Sequence, residues 1–190
     1  LDFGGGGLST LAGLPHVGAV AGRRDPDLVA RLIAEIAALS RRRAERFAVL
    51  GVDSIAEYRR RRADGDPATL DDPFGDVFLV IDGWAVLRQD FDGLEATVTA
   101  MAAEGLSVGV HVVLSANRWA DLRPALRDQI GTRIELRLGD PLDSEIDRAR
   151  ARNVPSGRPG RGLTGQGLPL TIALPRFDDA DPVARIAARH

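Results

Sequence analysis

Val77-Phe78-Leu79-Val80-Ile81-Asp82-Gly83-Trp84 decides the fold class. Five apolar residues in a row, three of them β-branched, leave no polar face. A strand buried on both sides needs such a run. It ends on a carboxylate and a turn residue. Before it, Asp64 to Gly75 is polar and rich in Asp, Gly and Pro, so it reads as a surface loop. After it, the spacing predicts a helix from about Leu94 to Ala103, then a second apolar strand from Val108 to Leu114, ending Ser115-Ala116-Asn117.

Leu1-Asp2-Phe3 reads as the end of a strand, followed by the glycine quartet Gly4 to Gly7, where backbone can approach something closely. Asp25-Pro26 opens a long helix, with Asp25 as N-cap and Leu28, Val29, Leu32, Ile33, Ile36, Leu39, Phe47 and Leu50 at helical spacing; Gly51 stops it. Asp53 caps a second helix. Thr132 to Leu138 alternates like a strand near an edge, Asp143 to Ala151 reads as helix, Pro155 to Gly167 as a loop, and Leu170 to Leu174 as a last strand. Asp181-Pro182 starts a short closing helix. Strands alternating with helices give an α/β fold with a mostly parallel sheet, organised as one domain over 1–190, with 178–190 leading toward a following domain.

Composition narrows the chemistry. The chain has 190 residues, 44% hydrophobic and 27% charged, which is globular and not disordered. No Cys is present, which excludes disulfides, thiolate metal sites and thiol nucleophiles. All 25 basic residues are Arg, which excludes Schiff-base chemistry and removes any P-loop lysine from these residues. A formal charge of −2 does not mark a nucleic-acid binder, and no apolar run approaches the roughly 20 residues of a membrane helix. The opening Leu1, with no initiator Met, points to a fragment.

In parallel α/β sheets ligands bind beyond the carboxyl ends of the strands, which selects Asp2, Asp82 and Asn117. An apolar run followed by Asp is the Walker B pattern, whose carboxylate holds Mg²⁺ beside a nucleotide. The alternative is an Asp that caps the turn before Trp84. Hydrolytic enzymes of this type carry Glu next, to orient water; here Gly83 stands there. Asn117 either senses a phosphate or caps the turn into Arg118-Trp119. Gly105-Leu106-Ser107-Val108-Gly109 has the spacing of a hydrolase elbow but lies between a helix and a strand in the wrong order. Gly160-Arg161-Gly162-Leu163-Thr164-Gly165 has dinucleotide-loop spacing, but no strand is expected to feed it, so it reads as a tight loop able to lie beside a ligand. Arg41 to Arg43 with Arg46, and Arg59 to Arg62, read as solvated helix faces. Trp84 and Trp119 read as packing residues and His111 as a satisfied core histidine.

Leu14-Pro15-His16-Val17, Phe78 to Asp82, Gly109 to Leu114, Gly131-Thr132-Arg133-Ile134 and Gly157 to Gly162, in this order, resemble FtsK/SpoIIIE-type ATPase domains. Asp2 to Gly7 and Asp82 to Leu87 are most similar to the middle domain of the tandem ATPases of type VII (ESX) secretion systems. The resemblance implies a RecA-like P-loop NTPase core, with its Walker A portion upstream of Leu1 and nucleotide held between neighbouring domains. It implies ATP and Mg²⁺ as cofactors, both requiring that upstream segment. Asp82 matches the metal-holding Walker B residue, and Asn117 and Arg133 match catalytic positions, Arg133 as an arginine acting in trans with Arg123 and Arg127 as rivals. Gly160, Arg161 and Gly162 would border the nucleotide. The degenerate Asp82-Gly83 pair implies weak or regulatory ATP binding and poor hydrolysis. The implied partners are sister ATPase domains of the same chain, secreted WXG100-type substrates and membrane components of the secretion system, and the implied setting is the cytoplasmic portion of a membrane-anchored bacterial protein. Nucleic acid is not an expected partner. The rival readings are a DNA translocase and a nucleotide-free interaction module.

Overall fold

In the computed structural model, Val77–Ile81 forms strand β1 and Val110–Leu114 forms β2. They pair in parallel, with Val77 opposite Val110 and Ile81 opposite Leu114. The structure describes residues 1–71, 74–173 and 182–188. Leu1-Asp2-Phe3 continues the sheet on the other side of β1: the Asp82 N–H donates to Leu1 O and the Phe3 N–H to Asp82 O, each at 2.9 Å. Asp2 in turn donates to Ala21 O at 2.8 Å, and its bridges to Gly22 and to Asp82 are both parallel. The order across this sheet is therefore the segment around Gly22, Leu1 to Phe3, β1 and β2. Within β1, Leu79 and Ile81 are buried while Phe78 and Val80 are 57% and 38% exposed. The run supplies apolar side chains to two faces, and the described residues cover one of them.

By internal packing the chain divides into two units, Leu1–Leu8 with Ala19–Ser115, and Ser9–Gly18 with Ala116–His190. The first holds the parallel sheet with α1 (Pro26–Leu50), α2 (Ile55–Ala63), α3 (Trp84–Asp90) and α4 (Leu94–Glu104). Helix α1 buries Val29, Ile33, Ala37, Ser40, Arg43 and Phe47, a stripe at helical spacing, and packs against α4. It ends as expected at Gly51, which is left-handed at φ 61° and returns its N–H to the last turn. Phe47, Val52, Tyr58, Phe74, Val108 and Val110 form one core cluster, with Tyr58 stacked on Phe74 at 4.7 Å between centroids. Asp25 holds the N-cap position without a side-chain bond, and the cap of α2 is Ser54 rather than Asp53: Ser54 Oγ accepts the Glu57 N–H at 3.2 Å. Glu57 reaches back to the Asp53 N–H, so the helix is capped one residue later than the sequence suggests. Helix α3 was not anticipated; it follows Asp82-Gly83 directly, and its Trp84 and Leu87 are fully buried.

The second unit holds α5 (Pro124–Arg127), β3 (Ile134–Leu136), α6 (Arg148–Ala151), β4 (Arg161–Thr164), β5 (Pro169–Thr171) and α7 (Pro182–Ala187). Its three strands run antiparallel in the order β3-β4-β5. The Gly160 to Gly165 segment is thus mostly strand, a correction to the loop reading. The physical reason lies at Gly162: a Cβ there would collide with Glu135 O on the neighbouring strand, so glycine marks close backbone approach within a sheet. Of the expected strand Leu170 to Leu174, Leu174 lies outside the described residues, as does Asp181 ahead of α7.

The arginine clusters also depart from the solvated-face reading. Arg41 and Arg42 are exposed, but Arg43 is buried. Its Nη1 donates to Val108 O at 2.9 Å and its Nη2 to Gly75 O at 2.8 Å, with the guanidinium over the Phe74 ring. It ties the segments that enter β1 and β2 to α1. Arg61 donates to Leu50 O and Gly51 O, closing the C-terminus of α1, and Arg62 donates to Thr69 O. Arg43→Ala would leave buried carbonyls unpaired, and charge-assisted hydrogen bonds are worth about 1.5–3 kcal/mol each. The expected loss is about 3 kcal/mol or more in urea unfolding, whereas Arg42→Ala stays within about 0.5 kcal/mol.

Candidate functional site

Asp82 is the first polar residue after β1 and Ser115 the first after β2. The register that sets Ile81 opposite Leu114 therefore brings these two side by side. Ser115 Oγ donates to Asp82 Oδ1 at 2.6 Å and accepts the Gly83 N–H at 2.9 Å. The Ser115 backbone is engaged on both sides: its N–H donates to Ile81 O and its carbonyl accepts from Trp84 N–H, each at 2.9 Å. Asp82 is half-buried, at the carboxyl edge of the sheet where ligands of parallel sheets bind.

Two glycines shape the surroundings of that carboxylate. A Cβ on Gly4 would land on it, with Oδ2 the nearest atom and Cγ at 2.6 Å, so the loop after Leu1 to Phe3 passes directly against the carboxylate. Gly83 has φ 93°, and a Cβ there would meet Phe3 Cβ at 3.1 Å and Phe3 C at 3.3 Å. Both the conformation and the space at position 83 require glycine. Asp2 is committed to its own loop: Oδ1 accepts from Gly6 N–H at 2.9 Å and Oδ2 from Leu8 N–H at 2.8 Å. Its carboxylate organises the glycine quartet.

No group of three or more His, Cys, Asp or Glu residues able to hold a metal occurs among the described residues. A single carboxylate suits Mg²⁺, which is commonly held by one or two carboxylates together with phosphate oxygens and water. Asp82, with Oδ1 taken by Ser115 and Oδ2 packed against the Gly4 backbone, offers one such carboxylate at the sheet edge.

The other expected site residues belong to the second unit. Asn117 is exposed. Arg133 donates to Ile130 O at 3.1 Å and Arg127 O at 2.8 Å, with its guanidinium 5.9 Å from the Trp119 ring centroid. Arg127 pairs with Glu145 at 2.5 Å. Arg161 reaches Thr171 Oγ1 across the β4-β5 pair, and Gly160 is left-handed at φ 79° against Ile172 O. Trp119 is half-buried, and its indole N–H donates to the buried Glu135. Ser115 and the close approach of Gly4 went unread in the sequence. The signal for Ser115 was there: each strand pentad is followed by a polar residue, and setting the pentads in register pairs Asp82 with Ser115.

The opposite end of the strands carries a different polar cluster. His111 Nε2 lies 2.8 Å from Asp76 Oδ1, and Arg59 Nη1 is 3.0 Å from Oδ2. His111 is not a core residue, as the sequence had implied; it is partly exposed and its ring stacks on Phe78 at 4.6 Å. The His111 hydrogen bond first, and Arg59 second, hold the Asp76 carboxyl below the usual carboxylate range.

Parallel strands delivering a lone carboxylate to their carboxyl edge, with a glycine loop against it, define an α/β protein of the nucleotide-site class. The sequence profile described as the FtsK/SpoIIIE family matches residues 1–179, and the chain belongs to that family. It is 56% identical over 94% of its length to the ESX secretion system protein EccC of Thermomonospora curvata, and 55% identical over 97% to the ESX-4 protein EccC4 of Mycobacterium tuberculosis. It spans 13% and 15% of those relatives' lengths. Among solved structures, the T. curvata EccC fragment holding ATPases 2 and 3, in complex with a signal sequence peptide, superposes with a TM-score of 0.87 at 53% identity. That match covers 98% of this chain and 34% of the other. The fold is the P-loop NTPase fold of this family.

Two outcomes follow from the geometry. Gly83→Ala loses about 1–3 kcal/mol in thermal or urea unfolding, the usual cost of an L-residue in a glycine conformation, whereas Gly7→Ala, which meets nothing within 4 Å, changes little. A carboxyl whose folded pKa is depressed contributes stability above its unfolded pKa of about 3.9, and loses it as pH falls through the folded value. The stability gap between wild type and Asp76→Asn is therefore widest near neutrality and closes below about pH 4; urea titrations at stepped pH read it.

Proposed function

We propose that this chain is a nucleotide-binding domain of a type VII protein secretion motor, with a regulatory rather than a strongly hydrolytic site. The single observation that carries this reading is the Asp82-Gly83 pair. Asp82 would take the part of the family's metal-holding carboxylate, while the next position, which would carry the water-orienting Glu, is held to glycine by its φ and by Phe3. With Mg²⁺ and ATP bound, the cation supplies charge neutralisation at the phosphates. Asp82 would hold that cation, and no carboxylate at position 83 would take a proton from water. The Walker A segment expected upstream of Leu1 would supply the phosphate cradle. The roles of Arg133, Asn117 and Gly160 to Gly162 are proposed from the family resemblance alone, with Arg133 acting in trans on a neighbour's nucleotide. Withdrawing Arg133 from Ile130 O and Arg127 O is the local cost of any reach toward a neighbour's phosphates.

The proposed partners are sister ATPase domains of the same chain, secreted WXG100-type substrates and membrane components of the system. The signal-peptide complex of the T. curvata relative supports substrate contact within this group of proteins. The proposed location is the cytoplasmic part of a membrane-anchored protein, in line with a related structure described as a cytoplasmic domain. No helix among the described residues is long and apolar enough to cross a membrane. The DNA-translocase reading loses support from the arginines: Arg43, Arg59, Arg61 and Arg62 donate to backbone carbonyls, which leaves those guanidinia engaged within the fold.

The test is steady-state ATPase and nucleotide binding on the full-length protein and on Asp82→Asn. Nucleotide binding that depends on Asp82, with turnover that barely changes on its loss, is the expected result. A fall in turnover of about a hundredfold or more on Asp82→Asn, the scale of a lost catalytic contact, overturns the regulatory reading. Duplex affinity that drops steeply with added salt would revive DNA tracking.

A further inference from the structure

Four consecutive residues at the end of β1 are hydrogen-bonded to one residue at the end of β2. Ile81 O accepts the Ser115 N–H, Asp82 Oδ1 accepts the Ser115 hydroxyl, the Gly83 N–H donates to Ser115 Oγ, and the Trp84 N–H donates to Ser115 O. The direction of the hydroxyl bond follows from donor accounting. Ser115 Oγ already accepts from Gly83, so its own proton is available, and an ionised Asp82 can only accept. Oδ1 is thereby occupied. Oδ2 lies against the Gly4 backbone, in the place that a side chain there would take.

We infer that Ser115 is the positioning residue of this site: through Oδ1 it fixes the Asp82 carboxylate at the carboxyl edge of the sheet, in the orientation that would meet the divalent cation of a bound nucleotide. The inference rests on the reading of Asp82 as the cation-holding residue. The role of Ser115 differs from the phosphate sensing that the sequence suggests for Asn117, two residues on. Ser115 does not touch the cation; it acts through the carboxylate. A carboxylate bound through one oxygen to a fixed donor cannot rotate freely, so its other oxygen keeps one direction. Hydrogen bonds of this kind to metal-ligating groups typically change metal affinity by about 10–100-fold when removed. The same hydroxyl also holds the Gly83 N–H, so the carboxylate and the left-handed turn share one anchor.

The experiment uses the full-length protein and compares binding of ADP with Mn²⁺ against binding of ADP in EDTA, by calorimetry. The part of the Mn²⁺-dependent affinity that Asp82→Asn removes is the part that belongs to this site. Ser115→Ala is expected to lower that part about tenfold and to leave binding in EDTA unchanged. The alanine variant keeps both backbone bonds of residue 115, and its thermal midpoint reports folding. Ser115→Thr, which retains the hydroxyl, is expected to restore the metal dependence. If Ser115→Ala does not fold, Ser115→Cys, which has nearly the same shape and a weaker donor, takes its place, with an intermediate loss expected. If Asp82→Asn abolishes the metal-dependent part while folded Ser115→Ala or Ser115→Cys binds like wild type, the inference about Ser115 is wrong and the reading of Asp82 stands. If Asp82→Asn changes nothing, the reading of Asp82 fails and the inference falls with it.

Discussion

The parallel register of β1 and β2 is the constraint on which the site depends. With Ile81 opposite Leu114, the residue after each strand becomes a neighbour of the other, and these residues are a carboxylate and a hydroxyl. A slip of one residue would turn every side chain of one strand to the opposite face and separate Asp82 from Ser115. The register is held from both directions. At the far end, Arg43 binds the carbonyls of Gly75 and Val108, the segments entering the two strands. At the near end, Ser115 binds the residues leaving β1. The two anchors differ in chemistry because their surroundings differ: a buried cation satisfies several carbonyls at once, whereas a half-exposed edge needs only a hydroxyl.

Glycine does at the edge what arginine does inside. Gly4 lets a loop lie against the Asp82 carboxylate, and Gly83 turns the chain at φ 93° from β1 straight into α3. This sharp turn is the physical reason that Trp84 begins a buried helix immediately beyond the strand. It also ties fold to function. A residue with a carboxylate side chain at position 83 would need a different backbone and a displaced Phe3.

Much of this was legible in the sequence, for reasons that can be stated. Both apolar pentads, the stripe on α1 and the stop at Gly51 are carried by local patterns that the packed structure does not overrule. Asp82 was found because a strand end selects residues without further information. The misses share a cause. Arg43 looks like Arg41 and Arg42 in a charge pattern, and only the position of the stripe separates the buried guanidinium from the exposed ones. The Gly160 to Gly165 spacing looked like a loop because the residue that explains Gly162 is Glu135, a strand away and far along the sequence. Ser115 carries no signal of its own in the chain; only the pairing of the two strands sets it beside Asp82.

The polar clusters at the two ends of the strands show how one sheet can separate stability from chemistry. Asp76, paired with His111 and Arg59, uses both carboxylate oxygens inside the protein and has none directed to a ligand. Asp2 is likewise saturated by two backbone N–H groups. Asp82 alone of these three carboxylates is held through one oxygen by a side-chain donor and faces a glycine with the other. Carboxylates satisfied at both oxygens hold a fold in place, whereas one held at a single oxygen keeps a direction and a free lone pair. That asymmetry, rather than the apolar-run-then-Asp pattern, sets Asp82 apart from the carboxylates that only hold the fold.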